Sequence, residues 1–333
     1  MGQLKSRRIW LGLGGTVLFL ALFFWQTDLR EFLNAMREAD YRWAALGVLL
    51  WFVAAWPRSL RWKIILRPLQ PLPILVLYPI LVIGYMANNL LPARLGELVR
   101  AYILGERYAL SKAAVLGTVV VERVADGLTL VALMAVTGAF IGLGSAVGLL
   151  AVAMAALFVV AFLLVLVAAM TRRNAAERAI EALCRLLPGP WRDKVLQLAD
   201  AFLDGLVALR SPWALLGVMA TGGAAWALEA AMYFVVGHGF GIREGFATFM
   251  MLTGAANLAI AVPSSAGGVG PFEWASQQVM VGVGVATGVA SAYAVALHGL
   301  LLVPVIVVGL GFLWLLQIPL GRAAVQQPAE VAK

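Results

Sequence analysis

The sequence predicts an all-α polytopic membrane protein, and three observations predict it. Of its 333 residues, 62% are hydrophobic and only 13% are charged, whereas soluble domains carry about 45–50% apolar and about 25% charged residues. Apolar runs of membrane-spanning length recur from end to end. The 25 Lys and Arg cluster between those runs, where basic residues set topology and meet anionic headgroups. The net charge of +8 is therefore read as membrane topology, and nucleic-acid binding is rejected. Cys184 is the only cysteine, and His238 and His298 lie far apart. No intrachain disulfide, metal site or cofactor is expected.

A hydrocarbon core of about 30 Å needs about 20 helical residues. The first span fits residues 9–26, after Lys5, Arg7 and Arg8. Large residues follow it and no small-x-small cleavage site is present, so it reads as a retained span and not a signal peptide. Residues 27–42 have mixed charge, with Leu29, Phe32, Leu33 and Met36 at helical spacing. That pattern predicts an amphipathic surface helix. The second span runs from Trp43 to Leu60, and Arg58, Arg61, Lys63 and Arg67 at its end mark the cytoplasmic side.

Residues 74–105 do not read as one span. The apolar stretch breaks at Asn88-Asn89-Leu-Leu-Pro92-Ala-Arg94-Leu-Gly96-Glu97 and resumes at Leu98 toward Arg100 and Arg107. A re-entrant hairpin keeps the flanking bases on the cytoplasmic side. The competing reading, one kinked span and an external loop, places them outside, against the positive-inside trend. Spans at 113–141 and 146–170 follow, joined by Gly142 to Ser145. Residues 171–212 carry seven Lys/Arg and five Asp/Glu with apolar stripes, split by Pro188-Gly189-Pro190. They read as a cytoplasmic amphipathic helical segment, able to rest on the membrane or on a partner.

A span at 213–236 leads to a second broken segment, 246–285, interrupted at Pro263-Ser264-Ser265-Ala-Gly267-Gly268-Val-Gly270-Pro271-Phe-Glu273. The last span is 286–316, followed by a short cytoplasmic tail over 320–333. The expectation is one integral membrane domain over 1–333, with about six spans, two oppositely oriented re-entrant hairpins and both termini cytoplasmic. Opposed broken helices are the recurrent build of secondary transporters. The halves share a faint pattern, Asn89 and Pro92 before Gly96-Glu97 against Asn257 and Pro263 before Gly270 and Glu273, compatible with an inverted repeat.

Glu122, Arg123 and Asp126 are the most informative residues. Glu122 falls about 14 Å into its span at 1.5 Å per residue, where each unpaired charge costs about 2.5–3.5 kcal/mol. These three must be paired, face a wet cavity, or both. Asp126 neighbours both of the others at i,i+4 and i,i+3, and the expected partners are Arg94, Glu97 and Arg100. A salt-bridge cluster that only pins the hairpin is the competing reading. In the first broken loop, Asn88 and Asn89 offer amide groups and Pro92 can end a half-helix. A helix restarting there would aim free N–H groups at an anion held by Arg94 or Arg100. In the second, Gly267, Gly268 and Gly270 could form an anion-binding nest, with Pro271 and Glu273 opening a helix. Ser264 and Ser265 lack hydrolase context, and no catalytic residue is assigned. Glu229 is read as locally paired or facing the cavity, His298 as a hydrogen-bonded core residue, and the Trp residues near span ends, Trp62 among them, as interfacial anchors.

NNLLPARLGELVRAYILG, VVERVADGLTLV and PSSAGGVGPFEWA, in that order, resemble the transmembrane region of lysylphosphatidylglycerol synthases and of stand-alone flippase-like membrane proteins, over residues 10–318. The resemblance implies an integral inner-membrane module that moves a lipid between leaflets. Bifunctional members carry a soluble aminoacyl-transfer domain beyond this region. Only GRAAVQQPAEVAK follows the last span here, so that synthase activity is not expected. Substrates implied by the resemblance are a phospholipid, glycolipid, hopanoid or polyprenyl lipid, with a cytoplasmic or membrane enzyme as partner. The headgroup pathway is expected to use Arg94, Arg100 and Arg123 for phosphate, and Glu97, Glu122 and Asp126 to position them or take protons. Two other readings stand beside it: a non-transporting accessory subunit of an envelope glycoconjugate pathway, and a membrane-embedded lipid-modifying enzyme.

Overall fold

A computed structural model describes residues 2–91, 95–141, 211–260 and 266–317, with isolated positions between 160 and 207. The span expected at 146–170, nearly all of the segment at 171–212 and the tail at 320–333 lie outside the described residues. All regular structure among the described residues is helical.

The first helix, α1, spans Gly2–Gln26. The surface helix is α2, Leu29–Glu38, opened by Asp28, whose carboxylate accepts from the Arg30 and Glu31 amides. The Glu31 carboxylate then accepts from the Gly288 amide, capping the start of the last helix. Helix α3, Arg42–Leu66, runs six residues past the expected end of the second span. Ile64, Ile65 and Leu66 continue the apolar pattern, so Arg58 and Arg61 fall inside the helix. They are buried, whereas Lys63 and Arg67 are exposed. Half of the predicted cytoplasmic charge cluster therefore belongs to the protein interior.

The first broken segment is a helical hairpin of α4, Ile74–Leu90, and α5, Gly96–Tyr108. A Cβ added at Gly96 would fall 1.9 Å from the Gly84 carbonyl oxygen, so only glycine there permits this approach. Helix α6 follows over Lys112–Ile141. After the second stretch outside the described residues come α7, Pro212–Gly239, and α8, Phe246–Ala259. A single 3₁₀ turn at Ala266–Gly268 and α9, Pro271–Gly282, complete a second hairpin. Helix α10, Thr287–Leu315, is the last. Among the described residues, α3, α7 and α10 are long and apolar enough to cross a membrane by length and composition.

The packing repeats. Helix α3 lies along α7, α4 along α10, and α8 along α6; within each unit the hairpin helices pair and the second packs on the next helix. Exchanging α3–α6 with α7–α10 leaves this set of neighbours unchanged. The α3–α7 pair is antiparallel: Gly47 faces Val236, Arg61 faces Gly222 and Ile64 faces Gly217. A two-fold relation between antiparallel helices has its axis across them. The units are thus inverted with respect to each other, and their hairpins enter from opposite ends, as transporter repeats do. The hairpin tips meet at the centre: a Cβ at Gly267 would lie 3.5 Å from the Asn89 carbonyl.

Candidate functional site

The charges that the membrane should expel are gathered into one network between α3, α5, α6 and α7. Asp126 is its hub. Arg61 grips it with both terminal nitrogens, Nη1 to Oδ1 at 2.6 Å and Nη2 to Oδ2 at 3.1 Å. That fork is the strongest geometry available to the pair. Trp226 Nε1 donates to Oδ1 at 2.9 Å, and Arg123 Nη2 lies 3.0 Å from Oδ2. Glu122 is wholly buried and accepts from Arg100 Nη2 at 2.6 Å and from Arg61 Nη2 at 3.5 Å. Arg100 is stacked 3.9 Å from the centre of the Trp62 ring. Trp62, read as an interfacial anchor, is instead fully buried and donates to Thr118.

A second branch starts at Arg58, which pairs with Glu229. Glu229 also accepts from Tyr233 at 3.2 Å and from Asn257 Nδ2 at 3.0 Å. Trp226 joins the branches, because the Arg58 guanidinium lies 5.2 Å from its ring. Small residues make room for the long basic side chains. A Cβ at Gly84 would meet Arg100 Cδ at 2.5 Å, and one at Gly222 would meet Arg61 Nη1 at 3.2 Å.

Four arginines (58, 61, 100 and 123) meet four carboxylates (97, 122, 126 and 229) in this network. Among the described residues the network is neutral. What varies is how tightly each member is held. Arg61 and Arg100 are buried and committed. Arg123 keeps 30% of its side chain exposed, and its Nε reaches only to 3.8 Å from Glu97 Oε1, itself 26% exposed. Arg123–Glu97 is thus the loosest pair of the network. Arg100, predicted as a phosphate ligand, is only 3% exposed.

Of the predicted residues, the structure brings together Glu97, Arg100, Glu122, Arg123 and Asp126. Asn88 serves the hairpin itself, accepting from the Gly96 amide at 2.8 Å. Asn89 reaches the Leu301 carbonyl at 3.5 Å. Pro92, Arg94, Ser264 and Ser265 lie outside the described residues. Arg58, Arg61, Trp226 and Asn257 belong to the network without having been predicted as site residues. The apolar run continuing to Leu66 was the available signal for the two arginines.

The second hairpin forms a separate centre. Positive φ angles of 74°, 77° and 99° at Gly267, Gly268 and Gly270 fold its tip. Pro271 starts α9, and Glu273 Oε2 accepts from the Gly270 amide at 2.7 Å, half of a capping box. That amide, predicted as part of an anion nest, is taken by the chain's own carboxylate. Glu273 Oε1 lies 2.6 Å from His298 Nδ1, and His298 Nε2 lies 3.0 Å from the Gly267 carbonyl.

The family model for the lysylphosphatidylglycerol synthase TM region matches residues 9–309. The chain belongs to this family. Among its relatives, a protein named glycosyltransferase AglD, from Haloferax volcanii, is 29% identical across 98% of the chain and 57% of its own length. A UPF0104 membrane protein from Methanothermobacter thermautotrophicus is 33% identical across 32% of the chain and 32% of its own length. The chain thus spans little more than half of the first relative. No solved structure matches it. As a member of the lysylphosphatidylglycerol synthase TM family, it is an all-helical membrane protein, and the charge network is the polar interior of that family region in this chain.

Proposed function

We propose that this protein carries the headgroup of an anionic or glycosylated lipid between leaflets, while the acyl chains stay in the surrounding hydrocarbon. The observation that carries this reading is the graded network: six charges held firmly and the Arg123–Glu97 pair held loosely, with Arg123 twelve residues into α6. An arginine fork suits phosphate, and an entering phosphate would replace Glu97 as the partner of Arg123, leaving the displaced carboxylate, which is 26% exposed, to solvent. The inverted repeat supplies two equivalent ways to open the interior, one toward each leaflet. The inner membrane is the proposed location. Glu122 and Asp126 then act by holding the arginines in place.

The reading is tested by reconstituting the purified protein in proteoliposomes with labelled phosphatidylglycerol, a glycolipid and a polyprenyl phosphate. Faster leaflet exchange of one class than in protein-free vesicles supports it. Unchanged exchange of all three, with the protein folded, contradicts it. A second reading is favoured by the likeness to a protein named as a glycosyltransferase over nearly the whole chain. In it, the module serves a lipid-linked glycosylation pathway as a membrane partner of the enzyme. That reading expects co-purification with a transferase and no exchange by the protein alone.

A further inference from the structure

The two halves contain equivalent ion pairs built from different chemistry. Glu97 and Glu273 each occupy the first turn of the helix that returns from a hairpin tip, α5 and α9. Their partners, Arg123 and His298, are each the twelfth residue of the following helix, α6 and α10. The first half therefore has a permanent cation at this position, because arginine does not titrate in proteins. The second half has imidazole, which exists with one N–H or with two.

The hydrogen bonds of His298 fix how many protons the second pair holds. Its Nε2 faces the Gly267 carbonyl oxygen, which can only accept, so Nε2 carries hydrogen. Its Nδ1 is 2.6 Å from Glu273 Oε1, a separation that requires one proton between the two atoms. Together the pair holds one proton more than neutral imidazole plus carboxylate. Without it, the imidazole has a single N–H for two acceptors and must give up either Glu273 or the Gly267 carbonyl. The carboxylate, 7% exposed, would then carry an uncompensated charge.

The neighbourhood offers no substitute. Helix α9 presents Glu273 itself, and Phe272 stacks on the imidazole 4.3 Å away. From α7, Tyr233 faces Phe272 but donates to Glu229. From α4 comes the uncharged Asn89, bonded to Leu301. Arg58 and Arg61 of α3 are tied to Glu229 and Asp126. Glu31 of α2 is ten residues away along α10, at Gly288, and Tyr293 on α10 donates to the Tyr233 carbonyl. Among the described residues, no second charged group is bonded to His298.

We propose that Glu273–His298 is a proton-binding site whose occupancy holds the tip of the second hairpin against the first. Gly267 is the point of action, because its carbonyl is bound by His298 while its other side packs against Asn89 and Leu302. Loss of the proton frees the tip, whereas the cation of the arginine pair is present at every physiological pH. Proton binding thereby biases the two halves differently. For lipid movement this makes the cycle proton-linked, a consequence that rests on the transport reading; the site itself does not.

The test places spin labels on both tips, at Leu91→Cys and Ala266→Cys in a Cys184→Ser background, in nanodiscs. Tip-to-tip distances are measured at about pH 5 and about pH 9, on either side of the imidazole range. The expected result is one short distance in acid and a longer component in alkali, displaced by up to about 5 Å, one helical turn. His298→Arg, which supplies a cation that does not titrate, should keep the short distance at both values. His298→Gln and Glu273→Gln should give distances that do not change with pH. Identical distributions at both pH values in the parent, or a pH response that survives His298→Gln, would overturn the proposal. Lipid exchange in the same variants is read separately. A tip response without any lipid movement would sink the transport reading and leave the proton site standing.

Discussion

The two hairpins of this protein solve the same problem with opposite reserves. Each places a glutamate at the start of its returning helix, partly exposed in the first and buried in the second, and pairs it with a base twelve residues into the next helix. In the first half the pair joins a dense cluster with Arg61, Arg100, Glu122 and Asp126. In the second half the pair stands apart and can lose its charge by moving one proton. A network of fixed charges gives a rigid frame, because removing a buried member strands another. A histidine–carboxylate pair tolerates change, since the survivor can become neutral.

The difference is sharpest under truncation. Arg61→Ala removes the fork on Asp126 and the second donor to Glu122. It should cost about 3–5 kcal/mol, read as a large drop in thermal unfolding temperature in detergent or failure to accumulate folded protein. His298→Ala leaves a carboxyl group that can take a proton, so its cost should be smaller, about 1–3 kcal/mol. Equal losses would break the comparison. Gly96→Ala comes next: its methyl would press on a backbone carbonyl at 1.9 Å, which cannot rotate away. The expected cost is about 1–3 kcal/mol, with a shift of α5 that also displaces Arg100. Gly84→Ala, meeting only the flexible Arg100 stem, should cost less. The smallest effect is expected for Glu97→Gln. This half-open pair should contribute less than about 1 kcal/mol to stability, and the variant should unfold close to the parent temperature.

Most of the helical plan is legible in the sequence, because apolar runs of span length and Pro/Gly/Asn breaks are both local signals. The hairpin over 74–105 and its opposed counterpart over 246–285 emerge as α4–α5 and α8–α9 for that reason. The pairing of Glu122 and Arg123 with Arg100 and Glu97 was legible too, since a mid-span charge demands a partner and the nearest hairpin offers them. Arg58 and Arg61 were misread because a basic group at the end of an apolar run has two meanings. It marks the cytoplasmic face if the helix stops there and an internal ion pair if the helix continues. Only tertiary packing, with Gly222 and Trp226 of α7 receiving the guanidinium groups, decides between them. His298 was read correctly as hydrogen-bonded, but its two acceptors depend on a loop fold that positive-φ glycines create and local pattern does not reveal.

In the proposed transport cycle one loosely held arginine, not the whole cluster, meets the lipid headgroup. This is tested most directly by leaflet exchange of an anionic lipid in proteoliposomes, comparing Arg123→Gln with Glu97→Gln at matched amounts of folded protein. Arg123→Gln should lose at least about tenfold in rate, equivalent to about 1.4 kcal/mol at the barrier. Glu97→Gln, which removes the competing anion, should retain or speed exchange. Equal losses in both variants, or unchanged exchange in Arg123→Gln, would contradict it and reduce the pair to a structural tie between α5 and α6.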